Sequence, residues 1–388
     1  MALLSNLNLP IPNAQSQAIS QQLADLIQQK IKENNGWIDF VTFMHMALYT
    51  LGLGYYSGCI TKFGQAGDFV TAPEISPLFA KTLARQAAQI LAIDDANILE
   101  LGAGTGKLAA DLLLQLQALN TMPTQYFILE VSDYLRQTQR ETLQEKLPKD
   151  LFKRVVWLEK LPVNFIGLIV GNEVFDAIPA HLIIHTEAGL CERGVSFEQT
   201  FIWQDRPLQK GKLHDEVNTY SMPSPYLTEV CPAATGLMNS LADCLNQGVI
   251  LMLDYGFSAA EYYHPQRNQG TLMCHFQHYA HSNPLINIGL QDITAHVNFT
   301  AIAEAGILQG LTLAGYCNQA SFLINCGILD ILAETSPSDM AVYAPLAAAA
   351  QKLLSPAEMG ELFKVIAFYK CVDEPLIGFK SGDKSHTL

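Results

Sequence analysis

Apolar positions along the chain change their period, and the change divides it. Over residues 15–34, Ile19, Leu23, Leu26, Ile27 and Ile31 fall on one stripe, which predicts an amphipathic helix ended by Gly36. A second helix is expected over 37–50, with Asp39 as its N-cap. Residues 51–77 break the pattern with Gly52, Gly54, Gly58, Gly64 and Gly67, and Tyr55, Tyr56 and Phe63 between them. This stretch reads as a long loop, either plain surface or a lid over a ligand. Helix 78–91 follows, capped by Ser76 or Asp68, with Phe79, Leu83, Ala87 and Ile90 as its buried stripe.

From residue 97 short apolar runs alternate with helical patterns. Strand 98–101 leads into a helix carrying Leu108, Leu112, Leu113 and Leu116 on one face. Strand 125–130, a helix over 134–147 stopped by Pro148, and strands 154–158 and 165–170 come next. Such repeats predict a parallel sheet with helices on both faces and ligands beyond the carboxyl ends of its strands. Residues 181–185 and 201–203 read as a β-hairpin around a turn at 187–194, then 204–227 as an insertion loop. A helix over 226–246 is expected, with Pro232 near its start, and then strands 249–254 and 271–276. Helix 299–305, strand 311–316 and helices 319–332 and 342–354 complete the pattern. Residues 363–369 are a strand or a helix end, and the polar tail from Ser381 is expected to fray.

Chemistry enters at the glycine turn Gly102, Gly104, Gly106, between a strand and a helix start. Glycines let backbone approach a ligand closely, and a helix N-terminus offers free N–H groups. Gly104-x-Gly106-x-x-Ala109 fits a dinucleotide fingerprint, and Glu100-x-Gly102-x-Gly104-x-Gly106 fits the first motif of S-adenosylmethionine (SAM) methyltransferases. A P-loop is excluded, since Lys107 is followed by Leu108. Glu130 ends the second strand, Asn172, Glu173 and Asp176 follow the fourth, and Asp254 ends the next.

Charge and cysteine usage narrow the classes. A net charge of −14 over 388 residues argues against a nucleic-acid partner and suits a cationic substrate. The eight cysteines form no C-x-x-C pair, which argues against a zinc site and a disulfide framework and for a reducing compartment. His275, His278 and His281 are three apart but lack supporting ligands, so no metal is expected. No apolar run reaches membrane-spanning length, and residues 1–12 carry neither signal nor transit features. A cytoplasmic location is expected, the mitochondrial matrix only for a eukaryotic homologue.

Blocks along almost the whole chain carry a resemblance. They are Lys62-Phe-Gly-x-x-Gly-Asp-Phe-x-Thr-x-Pro-Glu-Ile-Ser76, Glu100-Leu-Gly-Ala-Gly-Thr-Gly106, Glu130-Val-Ser132 with Leu135-Arg136, and Asn172-Glu-Val-Phe-Asp-Ala-Ile-Pro179. Asp254-Tyr-Gly256, Asp292-x-Thr-Ala-His-Val-Asn-Phe299 and Met359-Gly-Glu-x-Phe-Lys364 continue them. In these the chain resembles the MidA family of SAM-dependent methyltransferases, which includes a mitochondrial complex I assembly factor that dimethylates an arginine. One departure is Gly-Ala-Gly-Thr-Gly at 102–106, where the family often has Gly-Pro-Gly-Arg-Gly.

The resemblance implies an α/β fold, a class I SAM-methyltransferase (Rossmann-like) sheet with an N-terminal helical region and inserted and C-terminal accessory segments. Residues 1–92 would be a helical, cofactor-capping region. Residues 93–388 would be the core, with a hairpin insertion at about 180–227 and an accessory segment at about 257–310. SAM would be held by Glu100, Gly102, Gly104, Gly106 and Glu130, with Gly67, Asp68 and Phe69 closing over it. Glu130 would accept from both ribose hydroxyls, and residues 157–160 would border the adenine. The acceptor implied is an arginine in a protein, a complex I subunit or assembly intermediate. A carboxylate must then hold the guanidinium and take its proton: Glu173 first, Asp176 second, with Asn172 and Asp254 beside them. Asp176 could instead cap a following helix. Asp292 and His296 are either an acid–base pair or a structural tie. A non-catalytic assembly protein, a nucleotide-dependent oxidoreductase and homodimerisation stay open.

Overall fold

The alternating stretch from Asn97 onward forms a mostly parallel sheet in the computed structural model, which describes residues 9–58, 71–220, 222–372 and 374–388. The strands run in the order Thr312–Asn318, Phe363–Lys370, Leu245–Phe257, Phe165–Asn172, Asn97–Leu101, Tyr126–Leu129, Val155–Leu158. The last five are mutually parallel. Phe363–Lys370 is antiparallel to both its neighbours, which settles the undecided segment as a buried strand. Helices Pro77–Ile90 and Lys107–Ala118 supply Phe79, Leu83, Leu112 and Leu116 to a core shared with Ile98, Leu168, Val170, Val249 and Leu251. Each such fully buried leucine contributes about 2 kcal/mol.

Register decides where a ligand can sit. Leu101 pairs with Leu129 on one side and Gly171 on the other, and Asn172 pairs with Leu253. The glycine turn, Glu130 and Asn172–Glu173 therefore leave the sheet at one edge, beside Asp254, which stays within strand Leu245–Phe257 and pairs with Lys364. The chain proceeds from Asn97–Leu101 to Tyr126–Leu129 on one flank, while Phe165–Asn172 lies on the other. That is the switch point at which open α/β sheets bind ligands.

This sheet belongs to one of two compact units, the one made of Thr71–Phe175, Thr235–Ala259 and Val297–Leu388. Helix Pro77–Ile90 falls in this unit. A short helix, Lys149–Phe152, follows Pro148. The helix expected at 319–332 is two, Gln319–Asn325 and Ile328–Ala333, parted by Gly327 at φ +84°. The tail is tied rather than frayed. Lys384 N–H donates to Tyr316 O (2.6 Å), Asp383 Oδ1 accepts from Tyr316 N–H (2.9 Å), and Lys384 pairs with Glu361 (3.1 Å).

The other unit holds the described part of Met1–Val70 with Asp176–Ala234 and Ala260–His296. Helix Ala14–Glu33 buries Leu23, Ile27 and Ile31, while Leu26 lies on its exposed side. Asp39 caps Phe40–Tyr49, its Oδ1 accepting from Thr42 N–H at 2.9 Å. The expected hairpin is a larger, five-stranded sheet. Its supposed turn is itself a strand, Gly189–Phe197, pairing with His181–Thr186, Phe201–Pro207 and Ile38–Asp39. Charged Glu192 and Arg193 make that segment look like a loop, though it is the sheet's centre. Likewise Tyr226–Val230 is a strand rather than the start of a helix, and Pro232 opens helix Pro232–Cys244, where its missing N–H costs nothing. The insertion loop contains a helix, Lys212–Val217. Gly67, Asp68 and Phe69, with residues 59–70 of the proposed lid, lie outside the described residues.

Candidate functional site

The glycine turn has the backbone that its sequence requires. Gly102, Gly104 and Gly106 have φ of +58°, +52° and +83°, where a side chain is strained. A Cβ on Gly104 would meet nothing within 4 Å, and on Gly102 only Val174 Cγ2 at 3.8 Å. The backbone is thus open to close approach by a ligand, beside the N-terminus of Lys107–Ala118. Gly106 is tighter: a Cβ there would lie 3.2 Å from Gln139 Cα. The Thr105 hydroxyl donates to Glu74, from the short helix Ala72–Ile75. The Pro-Glu-Ile-Ser block is thereby fastened to the turn, a contact the sequence alone does not show.

Glu130 follows the second strand and is buried. Its Oε1 accepts from Ser132 N–H (2.9 Å) and its Oε2 from Gln139 Nε2–H (3.0 Å). The Val131 backbone N–H contributes as well, and a carboxylate with about four acceptor sites still has capacity left for a ligand hydroxyl. Burial raises its pKa, and the hydrogen bonds and nearby Arg136 oppose the rise. Arg136 staples two strand ends, donating to Glu130 O (2.7 Å) and Leu158 O (2.8 Å). Gln139 was in no motif. It donates also to Gly104 O (3.1 Å) and accepts from Trp157 Nε1–H (3.0 Å). Its signal was a glutamine on the apolar stripe Leu135, Gln139, Leu143 of helix Asp133–Lys146. Taken together, the open turn, the buried carboxylate acceptor and the anchored indole fit a SAM nucleoside.

Glu100 lies within its strand and accepts from Tyr126 OH at 2.7 Å. Burial lifts its pKa to about 7, the Tyr126 bond pulls it down, and the charge of Glu130 pushes it up. With the folded value above the ordinary 4.5, ionised Glu100 costs stability above pH 7, and the cost fades as pH falls toward 4.5. Glu100→Gln is therefore expected to stabilise the protein by roughly 2–3 kcal/mol at pH 8 and by nothing near pH 4.5. Denaturant titrations of both proteins across that range would show it. A difference independent of pH would contradict the assignment.

Past the fourth strand, Glu173 has φ +54°, a left-handed conformation unusual for a carboxylate side chain. It is held by its own N–H on Leu253 O (2.8 Å) and by Asn172 Nδ2–H on its Oε1 (2.9 Å). Among the described residues Asn172 Oδ1 is buried without a hydrogen-bond partner. Asp254 is 0% exposed. Its Oδ2 accepts from Val174 N–H (3.1 Å) and Phe175 N–H (2.8 Å), and its Oδ1 from Tyr255 N–H (2.9 Å). It braces the turn that presents Glu173.

In the other unit Asp176 is buried, and its carbonyl accepts from Ala295 N–H at 3.0 Å. No helix follows for it to cap, since the chain turns and enters strand His181–Thr186. Asp292 is also buried, and its Oδ1 accepts from Tyr56 OH (2.9 Å) and Ile293 N–H (2.9 Å). Burial first, then the charges of Asp292 and Asp176, hold the Tyr56 phenol well above its ordinary range. The His296 N–H donates to Thr271 Oγ1 (3.0 Å). Asp39, His181 and Glu192 have metal-ligand composition and mutual reach. Their atoms are already engaged, however: His181 Nδ1 is 2.6 Å from Glu192 Oε1, and Asp39 caps its helix. Among the described residues no helix is long and apolar enough to cross a membrane.

A family model for S-adenosyl-L-methionine-dependent methyltransferases matches residues 80–317. A Burkholderia thailandensis protein crystallised with S-adenosyl-homocysteine is 48% identical and superposes with a TM-score of 0.95, over 98% of this chain and 100% of that one. Relatives named mitochondrial protein arginine methyltransferase NDUFAF7 are more distant. That of Danio rerio is 29% identical over 90% of this chain and 87% of its own length, and that of Homo sapiens 27% over 88% and 82%. The switch-point site and these matches agree: the chain belongs to the MidA-like family of SAM-dependent methyltransferases.

Proposed function

We propose that the chain methylates a guanidinium nitrogen of an arginine in a protein. The observation that carries the reading is Glu173, a carboxylate held at φ +54° at the same sheet edge as the glycine turn. The names of the relatives support it. Gly102, Gly104, Gly106, Glu130 and, through Glu130, Gln139 hold the cofactor, with Glu100 beneath the turn. Bound SAM supplies an electrophilic methyl group on a sulfonium. Glu173 pairs with the guanidinium, draws its charge away from the attacking nitrogen, and takes the proton released there. Asn172 orients that carboxylate, and Asp254 positions both by bracing the turn. Asp176, three residues further along the chain, is the alternative base. The acceptor protein that the family resemblance implies is a respiratory complex I subunit or assembly intermediate, met in the cytoplasm of a bacterial cell.

The test is mass spectrometry of methylated proteins in cells with and without the gene, followed by transfer of labelled methyl to the acceptor in vitro. Methylarginine that disappears with the gene, and label lost when the acceptor arginine is changed to lysine, is the expected result. Label on any other side chain would overturn the arginine reading. SAM binding without any transfer would favour a non-catalytic assembly protein.

A further inference from the structure

We propose that Gln139 is the positioning residue of the nucleoside site, its one side-chain amide aligning the Glu130 carboxylate, the Gly104 carbonyl and the Trp157 indole together. The inference rests on the reading of Glu130 as the ribose-diol acceptor.

Packing does not require an amide at this position. Gln139 is 0% exposed between Leu135 and Leu143, where a leucine would continue the stripe. Its orientation is fixed by its partners. Trp157 Nε1–H can only donate, so the atom facing it is Oε1. Nε2 then faces acceptors alone, Glu130 Oε2 at 3.0 Å and Gly104 O at 3.1 Å, which uses both of its hydrogens. A flipped amide would set donor against donor and acceptor against acceptor. One buried side chain thus touches the segments after the first and second strands of the parallel core and the third strand itself. Arg140 covers one face of the same indole at 4.9 Å, so Trp157 is held both in its plane and on its face. The Gln139 donation also favours ionised Glu130 against the burial that raises its pKa.

A coupling of this kind has a pH signature that a packing role lacks. In Gln139→Leu, Glu130 loses a donor and protonates more readily. SAM affinity should fall about 10-fold at pH 8 and further as pH is lowered to 6. In Gln139→Glu two carboxylates face each other and repel at pH 8. At lower pH they share one proton, and the protonated acid restores the donation to Glu130. Its affinity should therefore recover toward the wild type as pH falls, a slope opposite to that of the leucine variant. Calorimetric titration of the full chain with SAM at pH 6, 7 and 8 reads both. Parallel slopes in the two variants, or wild-type affinity in both, overturn the proposal. Trp157→Phe removes the indole donor while keeping an aromatic ring, and serves if either variant unfolds. It should weaken SAM binding several-fold, and unchanged affinity would count against the coupling. If Glu130→Gln binds SAM like the wild type, it is the reading of Glu130 beneath the proposal that fails.

Discussion

Glu130→Gln is expected to weaken SAM binding by roughly 100-fold while leaving the protein at least as stable as the wild type. The carboxylate, held by Ser132, Gln139 and the Val131 backbone, accepts only, and its remaining capacity faces the ribose hydroxyls in this reading. A glutamine keeps one acceptor and turns the other position into a donor. That donor faces a hydroxyl on one side or Gln139 Nε2–H and Ser132 N–H on the other, and neither arrangement restores two accepted bonds. Hydrogen bonds to a charged group are each worth about 1.5–3 kcal/mol, so losing the pair costs on the order of 3 kcal/mol, or a factor of about 100. Stability should move the other way, because burial raises the Glu130 pKa and the ionised group is costly to keep inside. A melting temperature that holds while the calorimetric affinity collapses separates a lost ligand contact from a damaged fold. Affinity within about threefold of the wild type would remove Glu130 from the cofactor site.

Strand–helix alternation was legible because each element carries its own period. Leu108, Leu112, Leu113 and Leu116 announce a helix whatever surrounds them, and all four are buried. The cofactor end of the sheet was equally plain, since glycines and strand-ending acids are local signals. Segments whose identity depends on a partner were not. Gly189–Phe197 carries Glu192 and Arg193 and reads as a turn until it lies between two strands. Tyr226–Val230 runs into a helix with only Cys231 between, and the boundary is set by Pro232 rather than by hydrophobicity. The tail from Ser381 is polar, but polarity there serves bonds from Asp383 and Lys384 to Tyr316 and Glu361, so it does not mean disorder. Within the site the miss was Gln139. A polar residue on an apolar stripe is ambiguous in sequence, because its meaning lies in three atoms from distant segments. Asp254 shows the converse. A strand-ending acid drew attention as a chemical group, yet its oxygens are bound to the backbone N–H groups of Val174, Phe175 and Tyr255.

Glu173 offers the sharper test of chemistry, because its backbone conformation already sets function against stability. A left-handed conformation costs a non-glycine residue about 1–2 kcal/mol, and Glu173 is held at φ +54°. Glu173→Gly should therefore leave the protein about 1 kcal/mol more stable, since relief of the backbone outweighs the lost bond from Asn172. It should also abolish methyl transfer. Glu173→Gln keeps the shape and the strain but cannot take a proton or neutralise a guanidinium. Its kcat is expected to fall about 10²–10⁴-fold, the usual range for loss of a general base, with the KM for SAM unchanged. Measuring both variants by labelled-methyl transfer and by chemical denaturation gives a paired outcome. More stable and inactive in the glycine form, equally stable and slow in the glutamine form, is the signature of strain kept for chemistry. If the glutamine form retained more than about a tenth of wild-type kcat, proton transfer would not run through Glu173, and Asp176 would become the base to test.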